Sequence, residues 1–121
     1  MYKAWLEEAL RSDEQVGMSE LVLSSVVRIL THPRIFPEPT RLNDALEFAN
    51  ALRGHPACVT VAPGSAHWDI FMRLCRAAEA KGALITDAYL AALAIESHAE
   101  WITADRDYAR FPGLRWRHPL S

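Results

Sequence analysis

Cysteine, glycine and basic charge are all in short supply in this sequence, and each shortage removes a class of function. Among 121 residues there are two cysteines and five glycines, and 13 lysines and arginines face 15 acidic residues, for a net charge of −2. Cys58 and Cys75 lack the paired spacing of a zinc site and read as small apolar residues, so neither a metal knuckle nor a disulfide framework is expected. The glycines form no phosphate-cradling loop. There is no Walker lysine motif, no HExxH helix and no Ser/His/Asp order of a nucleophilic triad. His32, His55, His67, His98 and His118 are scattered without ligand spacing and read as surface or capping residues, with His67 and Trp68 at a helix start. Without a basic excess, any nucleic acid must be gripped by local contacts rather than by net charge. No apolar run reaches the ~20 residues needed to cross a bilayer. The first residues read as an acidic amphipathic helix rather than a signal peptide, which makes the cytoplasm the default location.

What is present is the composition of one globular domain over residues 1–121, half hydrophobic and 23% charged. Residues 2–11 place Trp5, Leu6, Ala9 and Leu10 on one face of a helix. Val16–Met18 reads as a short buried strand, and Ser19 is placed to cap a helix through Leu21, Leu23, Val26, Val27 and Leu30, closed by His32-Pro33. Pro33, Pro37 and Pro39 stiffen the loop that carries Ile35 and Phe36, either packed or as a docking segment. A helix over Asn43–Arg53 ends at Gly54, a strand covers Cys58–Ala62, and a helix from Ala66 to Lys81 ends at Gly82. Short strands alternating with longer helices predict an α/β fold with a parallel sheet.

The stretch over residues 84–111 carries the chemistry. Asp87 opens an apolar run (Ala88, Leu90, Ala91, Leu93, Ala94, Ile95), with Thr86 or Asp87 itself as the helix cap, and the helix stops near Ser97 and His98. Trp101–Thr103 reads as a buried strand followed by the turn Ala104-Asp105-Arg106-Asp107. An acid leading a helix and an acid following a strand can meet at the carboxyl ends of parallel strands, where ligands bind. Crowded carboxylates repel unless a cation neutralises them, and an all-oxygen cluster suits Mg²⁺ or Mn²⁺. The same residues also fit a plain helix cap and a solvated turn.

ITDAYLAALAIESHAEWITADRDYARFPGLRW resembles the C-terminal half of a PIN domain, and SELVLSSVVRILTHPRIF resembles the matching segment of VapC-type toxins. The likeness runs from about residue 2 to 120, and the D-A-Y-L-A-A-L-A and T-A-D-R-D-Y pair is its most specific part. It implies a three-layer α/β/α sandwich with a parallel sheet. It also implies a Mg²⁺- or Mn²⁺-dependent endoribonuclease, the toxin of a type II toxin-antitoxin module, that forms a homodimer and binds a VapB-like antitoxin. Asp87 and Asp105 would then be catalytic and metal-binding, with Asp107 and Glu20 as further ligands. Thr103 would orient water or a carboxylate, and Arg28, Arg34, Arg106 and Arg110 are the candidate phosphate contacts. Two departures bear on this. The family's first acid ends a central N-terminal strand, and this sequence starts after it, so that strand is expected to be absent and the 121-residue chain poorly soluble or completed by a donated strand. The second acid is a helix glutamate where Ser24 and Ser25 stand, which leaves Glu20 as the carboxylate on that segment. The alternative is an inactive PIN-like module that binds an antitoxin or a second copy of itself.

Overall fold

The computed structural model describes residues 8, 15–34 and 38–120. The expected N-terminal helix over residues 2–11, with Trp5, lies outside the described residues except for Glu8, which is helical; Ile35 and Phe36 lie outside them as well. The chain divides into two compact units that meet between Val61 and Ala62 in the sequence.

The first unit is a parallel strand pair with two helices between its strands. β1 (Val16–Ser19) pairs with β2 (Cys58–Val61) from Val16 opposite Cys58 to Ser19 opposite Val61. Gly17 permits the close approach, since a Cβ there would stand 2.9 Å from Cγ2 of Val61. Ser19 ends the strand and caps α1 (Glu20–Leu30), its Oγ accepting from the Leu21 amide at 3.1 Å, as the sequence predicts. α2 (Leu42–Arg53) stops at Gly54. Leu23 of α1 and Ala45 and Ala49 of α2 are buried, while Leu21, Ile29, Leu42, Leu46 and Phe48 stay exposed on the two helices.

The second unit is built around a helix that is apolar on every side. α3 (His67–Ala78) packs against α4 (Ala83–Glu96), in which Ala88, Ala91, Ala92, Leu93 and Ala94 are all buried. A helix hydrophobic all round belongs inside a core rather than at its edge, so α4 is more than the half-buried helix its pattern suggested. Both helices end with a residue in the left-handed region. Glu79 (φ 48°) and His98 (φ 56°) let the next amide turn back, Ala80 to the Cys75 carbonyl and Ala99 to the Ala94 carbonyl, both at 2.9 Å. That closure ends α3 three residues before the expected Lys81.

β3 (Trp101–Ile102) pairs in parallel with β4 (Trp116–Arg117), and a 3₁₀ helix (Arg106–Arg110) lies in the connection. Among the described residues the strands thus form two parallel pairs. The core joins Leu74 of α3, Ala88, Ala91 and Ala92 of α4, and Tyr108 and Phe111 beyond β3. Cys58 and Cys75 are free thiols, half-buried, and burial pushes the pKa of both up. No helix of the described residues is long and apolar enough to cross a membrane.

Candidate active site

Asp87 does not cap its helix. α4 starts four residues earlier, after Gly82 at φ 60°, a conformation that favours glycine and turns the chain without a capping side chain. Asp87 is therefore the fifth residue of α4, half-buried, and its carboxylate has to find a partner in space. It does so across 21 residues: the buried Tyr108 hydroxyl donates to Asp87 Oδ1 at 3.2 Å.

Asp105 follows β3 as expected and holds its own turn. Its backbone amide donates to Thr103 Oγ1 at 3.1 Å, and its Oδ1 accepts from the Asp107 amide at 2.9 Å, which makes it the N-cap of the 3₁₀ helix. The Thr103 amide in turn donates to the Arg117 carbonyl at 3.0 Å, so the end of β4 braces the acidic turn. Asp107 is exposed, with Arg110 Nε 3.7 Å from its Oδ1, a surface ion pair of little energetic weight.

The electrostatics tie these acids together. Burial raises the Asp87 carboxyl above its ordinary pKa, the Tyr108 hydrogen bond pulls it back down, and the negative charges of Asp105 and Asp107 push it up further. Burial also raises the Tyr108 phenol far above its usual range, reinforced by Asp87, so it stays a donor. Among the described residues no three Asp, Glu, His or Cys side chains stand close enough to hold a metal ion. The available donors, the carboxylates of Asp87 and Asp105, are nevertheless hard oxygen ligands of the kind Mg²⁺ and Mn²⁺ take alongside water.

The other predicted site residues lie as follows. Glu20, in the first unit, is exposed and bonded through Oε2 to Arg53 Nε at 3.0 Å. Ser24 and Ser25 turn their hydroxyls back onto the Leu21 carbonyl, at 2.7 and 3.1 Å. Arg28 and Arg34 are exposed in the same unit. Arg106, in the second unit, lines an open pocket of about 270 Å³ with Trp116, Arg117 and His118. Arg117 also pairs with Glu100, Nε to Oε1 at 3.2 Å.

Three residues escaped the sequence reading. Tyr108 carried no role of its own beyond its place in T-A-D-R-D-Y, although an apolar site that selects tyrosine over phenylalanine signals a partner for its hydroxyl. Glu96, at the end of α4, accepts from the amides of Gly64 at 2.7 Å and Ala66 at 3.0 Å, and those bonds hold its pKa low. His67 is a buried residue and not a surface or capping one: 3% exposed, it lies edge-on to Tyr89 and bonds through Nε2 to the Tyr89 carbonyl at 2.9 Å, while Trp68 beside it is 59% exposed. A carbonyl only accepts, so that nitrogen carries the proton.

Comparison with known proteins gives the chain its family. The sequence profile of the PIN domain matches residues 2–114. The chain is 44% identical over 120 residues to ribonuclease VapC43 of Mycobacterium tuberculosis H37Rv, covering 99% of this chain and 82% of that one. The chain belongs to the PIN-domain family of VapC ribonucleases. Ribonuclease VapC25 of the same strain is 36% identical over 117 residues, 97% of this chain and 82% of the relative. The fold agrees too: the crystal structure of VapBC2 from Rickettsia felis, bound to a DNA fragment from its promoter, superposes with a TM-score of 0.71 at 15% identity, over 97% of this chain and 83% of that one. The strands and helices of this PIN domain are accordingly those of an α/β fold.

Proposed function

We propose that this PIN domain is the toxin of a VapBC-type module, an endoribonuclease that cleaves phosphodiester bonds in RNA with Mg²⁺ or Mn²⁺. The observation that carries the reading is geometric: Tyr108 ties the half-buried Asp87 to the turn that carries Asp105 and Asp107, whose negative charges a divalent cation would offset. Asp87 and Asp105 would hold the ion, which retains several waters because the described residues complete no three-donor cluster. Asp107 adds negative charge from the next turn, and Glu20 is held by Arg53 within the first unit. When bound, the ion supplies an activated water and neutralises charge on the phosphate. Thr103 fixes Asp105 through the amide that Asp105 donates to it. Arg106 and Arg117 line the neighbouring pocket and provide local phosphate contacts that a net charge of −2 does not; Arg28, Arg34 and Arg110 are further candidates.

The partner reading rests on the first unit. Between α1 and α2 an open groove of about 520 Å³ is lined by Leu23, Val27, Leu46 and Ala49 and edged by Glu20 and Arg53, a shape that suits an amphipathic segment of a VapB-like antitoxin. A homodimer in the cytoplasm completes the proposal. Purified protein should cleave RNA in Mg²⁺ or Mn²⁺ and stop in EDTA, and Asp105→Asn should slow cleavage by more than about 100-fold, beyond the range for outer-shell partners. Wild-type cleavage by Asp105→Asn removes the site assignment. The lack of a three-donor cluster among the described residues favours one second reading, an inactive module that binds the antitoxin or its own copy. Co-purification with a small partner and no cleavage in either metal would select it.

A further inference from the structure

We propose that Tyr108 is a positioning residue for the acidic site: its buried hydroxyl fixes the Asp87 carboxylate against the turn that carries Asp105, and so sets the separation at which the two acids share a cation. The inference rests on the reading that Asp87 and Asp105 hold that cation.

The ring of Tyr108 is 4% exposed and packs between Trp101, 5.4 Å away between centroids, and Phe111, 5.8 Å away. A phenylalanine would fill that space equally well, and a hydroxyl taken into the core without a partner would oppose folding. The hydroxyl has one, Asp87 Oδ1, and among the described residues this is the only side-chain hydrogen bond that joins α4 to the 3₁₀ helix. The same short helix holds the second acid. Asp105 caps its first turn, with Oδ1 on the Asp107 amide, and Tyr108 is its third residue. One turn of chain therefore fixes one oxygen of each carboxylate, Oδ1 in both, and leaves each Oδ2 for a ligand.

Asp87 needs that tie more than Asp105 does. Partial burial and two negative charges both favour swinging its carboxylate outward to water, away from Asp105, whereas Asp105 is held by bonds within its own turn. A carboxylate already held in place loses less freedom when it ligates, which is how hydrogen-bonded partners behind metal ligands raise affinity.

Tyr108→Phe keeps the ring and deletes the hydroxyl. In Mn²⁺ titrations of the full chain followed by calorimetry, Tyr108→Phe should bind about tenfold more weakly than wild type, and Asp87→Asn should lose the site. A tyrosine that merely fills the core would lower the unfolding midpoint and leave the affinity of the folded protein unchanged; that result, with binding lost in Asp87→Asn, overturns the positioning role and leaves the site standing. Undiminished Mn²⁺ binding by Asp87→Asn overturns the site reading and this inference with it. Wild type supplies a second measurement in case the phenylalanine variant does not fold. Mg²⁺ should perturb the tyrosine ultraviolet difference spectrum along its binding isotherm, because ligation of Asp87 redistributes the charge facing the phenol. A flat spectrum at saturating Mg²⁺ counts against the proposal.

Discussion

Leu74→Ala tests whether the α3–α4 contact holds the Asp87-bearing helix in place. Leu74 has no exposed surface and belongs to the cluster that includes Ala88, Ala91 and Ala92. Truncation removes three carbons, worth about 2–2.5 kcal/mol at roughly 0.8 kcal/mol per buried methylene. A cavity cost adds to that, and here it should be large. The alanines have no side-chain rotation with which to fill a hole, so any relaxation must come from the larger residues packed around the cluster. The sum is about 3–4 kcal/mol, in the upper part of the ~2–5 kcal/mol span of such substitutions. For a domain of this size that loss lowers the melting temperature by on the order of 10–15 °C. Urea unfolding followed by circular dichroism reads it directly as a lower midpoint with an unchanged slope. A destabilisation below about 1.5 kcal/mol would refute the reasoning, since it would mean that the alanine face of α4 closes over the gap. Adding Ala91→Leu to Leu74→Ala should recover part of the loss even though Ala91→Leu alone costs about 1–3 kcal/mol, and a double-mutant cycle measures that coupling.

Three further outcomes follow from the same geometry. Asp87→Asn should stabilise the metal-free protein at neutral pH while abolishing cleavage: the folded-state pKa of Asp87 is raised, so its ionisation opposes folding and wild-type stability falls as pH rises through that value, a fall the variant lacks in melts across pH 4–8. Glu96 is the opposite case. Its folded-state pKa is lowered, so its contribution is present above the unfolded value of about 4.3 and is lost as pH falls through the folded one; the stability gap between wild type and Glu96→Gln should be full at pH 7 and close in acid. Arg117→Met should weaken RNA binding in the presence of EDTA and lower the slope of log affinity against log salt by about 1, whereas an unchanged slope would remove Arg117 from the phosphate contacts.

What the sequence disclosed was whatever is settled by neighbours within a few residues. Ser19 as a cap, the end of α4 at Ser97 and His98, and Asp105 in a turn after β3 are all local matters, and each is found. Asp87 was misplaced along its helix because a glycine at positive φ starts α4 with no capping side chain, and polar-residue signals do not register that kind of start. β4 spans two residues, too short for any alternation to show, and it exists because β3 offers a parallel edge. Glu96 and Tyr108 find their partners 21 to 32 residues away, distances over which periodicity carries no information. His67 does start α3, but its position along the chain conceals that it is buried with its ring on the Tyr89 carbonyl.

The placement of Asp87 has a consequence for how the site and the fold share one helix. α4 buries alanines on all sides, and small residues let α3 and the 3₁₀ helix approach it closely. That closeness brings the Tyr108 hydroxyl within reach of an acid projecting from the middle of a helix rather than from its frayed end, and a mid-helix anchor holds a carboxylate more rigidly than a terminal one. The same burial raises the free energy of the charged carboxylate, so rigidity of the acid and its electrostatic strain arise from one cause. Larger residues at Ala88, Ala91 or Ala92 would therefore push Tyr108 away from Asp87, and the loss of its hydrogen bond would raise the strain on that acid while undoing the tie between α4 and the turn that carries Asp105.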